Sequence, residues 1–84
     1  MMDSLITFRS VTPAQKGERV LRREGLECAL SRTPKWAQDK GCGYSLRIRQ
    51  KDALRCAEIL RREQIPFKRV YLFRDGGGAE ELQV

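Results

Sequence analysis

The chain contains no histidine. That removes the usual imidazole base from any Ser/His or Cys/His nucleophilic pair, and a zinc site would have to gather all three thiols and a carboxylate from dispersed positions. Most hydrolase mechanisms are excluded with it. The cysteines are odd in number, Cys28, Cys42 and Cys56, and none forms a CxxC pair, which argues against a disulfide framework and for a reducing, cytoplasmic setting. No apolar run approaches the roughly 18 residues of a membrane span, and Leu5-Ile6-Thr7-Phe8 is too short for a secretory apolar region. A Walker loop is missing too, since Gly76-Gly77-Gly78 neither follows GxxxxGK spacing nor opens a helix. With 84 residues and 40% apolar content there is one modest core and no room for a large enzyme cleft.

What the chain has in excess is positive charge. Its 17 Lys and Arg stand against 11 Asp and Glu, for a net charge of +6. Three of those acids, Asp75, Glu80 and Glu81, lie beyond the last apolar run, so residues 1–74 carry 17 − 8 = +9. Such a body attracts anions, whether phosphate-bearing ligands, nucleic acid or an acidic protein surface. The charge describes a field and does not choose among them.

The strongest pattern is an internal repeat. Val20-Leu21-Arg22-Arg23-Glu24-Gly25-Leu26 returns 39 residues later as Ile59-Leu60-Arg61-Arg62-Glu63-Gln64-Ile65, and upstream the alternating runs Ile6–Arg9 and Leu46–Arg49 correspond, each reading as a half-buried strand. Ala14, Gly17, Val20 and Leu21 form one helical stripe, and the same shift yields Ala53, Cys56, Ile59 and Leu60. Thr12 reads as the first helix's N-cap, with Pro13 at its first position and Gln15 completing a capping box, while Gly25 stops it. In the second, Asp52 lies in the first turn, Arg61-Arg62 in the last, and Pro66 blocks continuation. The arginine pairs read as solvated helix faces supported by Glu18 and Glu58 rather than as a phosphate site.

A strand follows each helix, 27–32 and 67–73. The order β-α-β-β-α-β predicts an α+β fold, a ferredoxin-like two-layer sandwich with a four-stranded antiparallel sheet and both helices on one face. Leu5, Thr7, Arg9, Ser45, Arg47, Arg49, Arg69 and Tyr71 are assigned to the other, largely open face. Residues 1–75 then form the single domain, and 76–84 a flexible, Gly-rich acidic tail.

Chemistry concentrates between the second and third strands, in Thr33-Pro34-Lys35-Trp36-Ala37-Gln38-Asp39-Lys40-Gly41-Cys42-Gly43. A hairpin needs far fewer residues, and loops of this length in small domains are usually functional. Gly41 and Gly43 leave the Cys42 thiol unshielded, and Arg32, Lys35 and Lys40 favour its thiolate. The blander reading makes Cys42 a small residue filling a turn. Cys28 and Cys56 fall on core faces and read as structural. Trp36 either caps the core edge, shields the thiol or marks a docking surface. RNA-recognition modules share this element order, and Lys40-Gly41-Cys42-Gly43-Tyr44 matches four of the five positions of their third-strand motif; the mismatch, Cys42, replaces a stacking aromatic, and Ile6 replaces the other.

Several features together resemble the selenium/sulfur (Se/S) carrier-like family of small prokaryotic proteins: Phe8-Arg9-Ser10 ending the first strand, Ala14, Glu18-Arg19-Val20-Leu21, Gly25, Thr33-Pro34-Lys35 and Cys42-Gly43. The resemblance covers roughly residues 4–73. It implies that Cys42 carries sulfur or selenium as a persulfide or selenopersulfide, between a donor such as a cysteine desulfurase and an acceptor enzyme, with Gly41, Gly43, Thr33, Pro34, Lys35 and Lys40 as the supporting loop. Such a protein is a carrier rather than a turnover enzyme and needs no cofactor or metal beyond the carried atom. Arg32 stands where the family usually has its first proline, Lys35 replaces arginine, and Gln38-Asp39-Lys40-Gly41 replaces a run of small hydroxyl residues. The other classes are a small basic RNA-binding module, for which the charge predicts only weak, non-specific nucleic-acid binding, and a sheet-mediated homodimeric interaction domain.

Overall fold

The computed structural model describes residues 3–38, 43–74 and 78–83. The elements run β1 (Ser4–Phe8), α1 (Val11–Arg23), β2 (Cys28–Arg32), a 3-10 turn (Lys35–Ala37), β3 (Tyr44–Ile48), a second 3-10 turn (Gln50–Asp52), α2 (Ala53–Arg62), β4 (Val70–Phe73) and β5 (Ala79–Leu82). All strand pairs are antiparallel, in the order β2-β3-β1-β4-β5. The α+β class, the antiparallel sheet and the two helices match the expectation from sequence; the strand count does not. A fifth strand, drawn from residues read as a flexible tail, pairs with β4, so the order differs from a simple four-stranded sandwich.

Backbone pairing to β4, two ion pairs and the packing of Leu82 against the core hold that strand in place. Glu81 faces Tyr71 across the ladder and accepts from Arg69 at 3.0 Å, Glu80 pairs with Arg74, and the Arg74 amide donates to the Gly78 carbonyl at 3.1 Å to close the connection. Patterning for apolar alternation passes over Ala79-Glu80-Glu81-Leu82, because half of this strand is acidic. At the opposite edge, α1 covers β2: Glu18 accepts from the Leu30 amide (3.3 Å) and Arg22 donates to the Cys28 carbonyl (3.2 Å). Those side chains occupy groups that would otherwise invite another strand.

Both helices lie on one side of the sheet. Their buried residues, Ala14, Gly17, Val20 and Leu21 in α1 and Ala53, Cys56, Ala57, Ile59 and Leu60 in α2, contain the two repeated stripes in full. They share one core with Ile6, Phe8, Cys28, Leu46, Ile48 and Val70, the alternate residues of four strands. At Gly17 the layers pack closely, since a Cβ there would lie 3.1 Å from Leu60 and 3.3 Å from Leu46.

The repeat extends to the helix ends. Leu26 N–H donates to Leu21 and Gly25 N–H to Arg22, and 39 residues on Ile65 donates to Leu60 and Gln64 to Arg61. Gly25 has φ +83°; its counterpart Gln64 holds φ +58° with a side chain, which costs about 1–2 kcal/mol. At the start of α1 the cap is Ser10, with no side-chain capping bond, and not Thr12. Thr12 and Pro13 lie inside the first turn, where proline's missing N–H loses no helical bond. The arginine pairs are largely committed to glutamates: Arg22 to Glu18, Arg23 to Glu63, and Arg62 to Glu24 and Glu63. Arg61 instead lies over the Phe67 ring. That leaves the phosphate-site reading of these pairs without free cations to build on.

Candidate functional site around the loop between β2 and β3

The loop begins and ends on the last rung of the β2/β3 ladder. Beyond the Arg32/Tyr44 pair, the Thr33 amide donates to the Gly43 carbonyl at 3.2 Å, which holds the two ends together. Pro34 is extended (φ −60°, ψ 153°) and delivers the chain into the Lys35–Ala37 turn, closed by the Ala37 amide on Pro34 (3.0 Å) and the Gln38 amide on Lys35 (3.2 Å). The Gln38 side chain then donates back to the Thr33 carbonyl at 3.0 Å. Thr33-Pro34-Lys35 is thus the hinge of the turn: proline fixes φ, and threonine supplies both neck contacts through its backbone.

This turn lies over the sheet face opposite the helices. Trp36 meets Tyr71 edge-on at 5.3 Å and Phe73 at 5.6 Å, and Arg47 lies over Phe73 at 5.6 Å. Trp36 is nevertheless 54% exposed, while the next residue, Ala37, is buried. Beneath, Leu5, Thr7 and Ser45 are fully buried. The expectation of a largely open face therefore fails at its centre. A cavity of about 590 Å³ opens between Trp36, Arg47, Tyr71, Phe73 and the start of β5. A second, of about 550 Å³, lies between the start of α1 and the residues after α2, beside Arg9, Lys16 and Lys68, and shares no residue with the loop.

Three hydroxyls on the loop's side of the sheet are out of place energetically. Ser31, Thr33 and Ser45 each bury an Oγ with no hydrogen-bond partner, a deficit of about 1–3 kcal/mol apiece. Ser31 and Ser45 are direct partners between β2 and β3, and Ser45 is also opposite Thr7 of β1. Thr7 lies in the same row and is satisfied: its hydroxyl accepts from the Arg69 amide at 3.1 Å. Composition hides this cluster, because serine and threonine in strands are ordinary; the alternation Ser31-Arg32-Thr33 opposite Gly43-Tyr44-Ser45 was the available signal.

Of the residues proposed for the site, Thr33 and Pro34 form the neck, Lys35 is exposed in the turn, and Gly43 closes the neck with open space where a Cβ would stand. Lys40, Gly41 and Cys42 lie outside the described residues. The other two thiols are described and are unsuited to attack. Burial pushes the Cys28 thiol above 9.0, Arg22 opposing and Glu18 reinforcing, and its Sγ donates to the Glu18 carbonyl at 3.6 Å. Cys56 is fully buried, and that burial, with Asp52 and Cys28 adding, pushes it up to about 12. Neither forms appreciable thiolate near neutrality. Among the described residues no cluster of Cys, Asp and Glu could hold a metal ion, and no helix is long and apolar enough to cross a membrane.

A small α+β sandwich with a motif-bearing loop folded across its sheet, and with its two core cysteines silenced, is the class of protein defined by this geometry. The family described as "Putative Se/S carrier protein-like" matches residues 3–72. The chain belongs to that family. No curated protein and no solved structure matches it.

Proposed function

We propose that this protein is a sulfur or selenium carrier whose loop cysteine, Cys42, relays the atom as a persulfide or selenopersulfide. The observation that carries the reading is the contrast among thiols in a member of this family: Cys28 and Cys56 are buried, protonated and packed in the core, which leaves Cys42 as the thiol for the work. In the transfer, the Cys42 thiolate attacks the terminal sulfur of a donor persulfide. A new S–S bond forms, the donor's S–S bond breaks, and the donor cysteine leaves as thiolate. Lys35 and Lys40 stabilise the anions by proximity. The protein does not turn over a substrate, works in the cytoplasm, needs no cofactor, and docks on a desulfurase-like donor and an acceptor through the Trp36 side of the sheet. Its first four strands and two helices are read as a ferredoxin-like sandwich extended by an acidic edge strand.

The RNA-binding alternative has less behind it. Tyr44, its best stacking residue, packs against the helix-side core under Arg32, and Trp36 covers the face that would receive bases. Incubation with a cysteine desulfurase and cysteine, with a small persulfide donor in parallel, should add sulfur to the protein by intact mass and lose it to mild reductant. Cys42→Ser should abolish the adduct, and Cys28→Ser and Cys56→Ser should keep it. An adduct that persists in Cys42→Ser, or none from either donor in the wild type, overturns the reading.

A further inference from the structure

Positive charge lines a cavity at one end of the sheet. Arg9 follows Phe8, the last rung of the β1/β3 ladder, and the cavity beside it, about 550 Å³, lies between the start of α1 and the segment joining α2 to β4. Backbone bonds fix its walls. The Lys68 amide donates to the Thr7 carbonyl at 2.8 Å, which ties that segment to β1, and the Ile65 and Gln64 amides donate to Leu60 and Arg61 at 2.9 and 3.0 Å. Small-molecule sites are typically pre-formed clefts of roughly 300–1,000 Å³, and this one falls in that range.

Two chemistries line it. Arg9, Lys16 and Lys68 reach it from three segments, and none of them pairs with a carboxylate among the described residues, unlike Arg22, Arg23, Arg49 and Arg62. The carboxylate in the lining, Glu63, is already engaged by Arg23 and Arg62. Ser10, Thr12 and Gln64 add neutral hydrogen-bonding groups, and the rest of the lining is apolar: Pro13, Ile65, Pro66 and Phe67. Such a lining selects a ligand that is anionic at one end and flat and apolar at the other. A dianionic phosphate matches three cations better than a single carboxylate does, and a guanidinium takes its oxygens in a fork. The internal repeat supplies a control. The position after α1 is Gly25, at φ +83°, while its counterpart after α2 is Gln64, at φ +58°. Glycine would relieve that strain; the chain keeps instead a side chain that lines the cavity.

We infer that this cavity binds a phosphate monoester with a flat apolar body, of about the size of a nucleoside monophosphate. Arg9, Lys16 and Lys68 hold the phosphate, and the proline and phenylalanine rings cover the body. The site stands apart from the carrier reading, since it uses neither the loop nor a thiol.

The test titrates the full chain, at constant ionic strength, with adenosine monophosphate and with phenyl phosphate while amide resonances are followed. Adenosine and inorganic phosphate are the controls. Either ester should give saturable shifts centred on Arg9, Lys16, Gln64 and Lys68, and each control, lacking one half of the ligand, should bind at least about tenfold more weakly. Lys16→Ala and Lys68→Ala, both at exposed positions, should each weaken binding about tenfold, the loss of one hydrogen bond to a charged group. Lys51→Ala, beyond the Ser4/Ile48 rung at the other end of the sheet, should leave it unchanged. Gln64→Gly should weaken binding while keeping or raising the denaturation midpoint, a split that a purely structural side chain would not produce. No saturable shift from either ester, controls that bind as tightly as the esters, or unchanged affinity in all three lining variants overturns the site. So does a short single-stranded RNA that binds through the same residues more tightly than the monoesters, which would make this end of the sheet a nucleic-acid surface.

Discussion

The two faces of this sheet are buried to a similar degree at their centres and built on different principles. On the helix face, Ile6, Phe8, Leu46, Ile48 and Val70 meet two matching helical stripes, and almost every buried atom is apolar. On the loop face, Leu5 shares the centre with Thr7 and Ser45, and the cover is a turn of three residues, one of them an exposed tryptophan. Burial alone therefore does not separate a core from a site. What separates them is whether the buried groups satisfy one another, and on the loop face three hydroxyls do not.

The comparison breaks most visibly at the helix face. Leu46→Ala removes a fully buried side chain that touches the α1/α2 crossing near Gly17, and should cost about 2–5 kcal/mol in urea unfolding. A loss under about 1 kcal/mol would mean this core is loosely packed.

The same face predicts a pH limit. The folded pKa of Cys56 is raised to about 12 from 9.0, with burial as the main cause. Unfolding exposes a thiol that ionises near 9.0, so the unfolded state binds fewer protons above that pH. The stability contribution is fully present below pH 9 and is lost as pH rises toward 12, by up to about 1.4 kcal/mol per unit. Denaturation midpoints of wild type and Cys56→Ala, compared between pH 8 and 10.5, should converge as pH rises; parallel curves would contradict it.

On the loop face the expected effects are smaller. Trp36→Ala removes two edge-on aromatic contacts but little burial, and should cost about 1–2 kcal/mol, with the β1 to β4 amides retaining slow exchange. Equal loss of protection across the whole sheet would show that the turn is part of the core. Smallest is a contrast within one row: Thr7→Val removes a hydroxyl that bonds the Arg69 backbone and should cost about 1 kcal/mol, while Ser45→Ala removes an unpaired hydroxyl and should be neutral or slightly stabilising. If Ser45→Ala were as costly as Thr7→Val, the hydroxyl would have a partner after all, and the two faces would differ less than described.

The helix face was legible in the chain because its information is local. The 39-residue shift between stripes, the glycine after α1 and the alternation in β1 and β3 are period and propensity, and each survived folding nearly residue for residue. Reading failed where a residue's state depends on something distant. Thr12 looked like a cap because Pro13 follows it, yet the chain turns helical one residue after Ser10. Ser45 was placed on the correct face and taken as open.

Sequence by itself determined the two helices, four of the strands, the sides they bury and the family to which the loop motif belongs. Those follow from backbone periodicity, from turn chemistry and from a few residues at fixed spacing. Tertiary structure decided the rest. It recruited Ala79–Leu82 into the sheet through the backbone ladder to β4 and the packing of Leu82, with Arg69 and Arg74 offsetting the charge of Glu81 and Glu80. It laid Trp36 across β4, and it gathered Ser31, Thr33 and Ser45 from two strands with their hydroxyls unpaired. A hydroxyl's partner, or its lack of one, is a property of the space around it, and that space exists only once the loop has folded over the sheet.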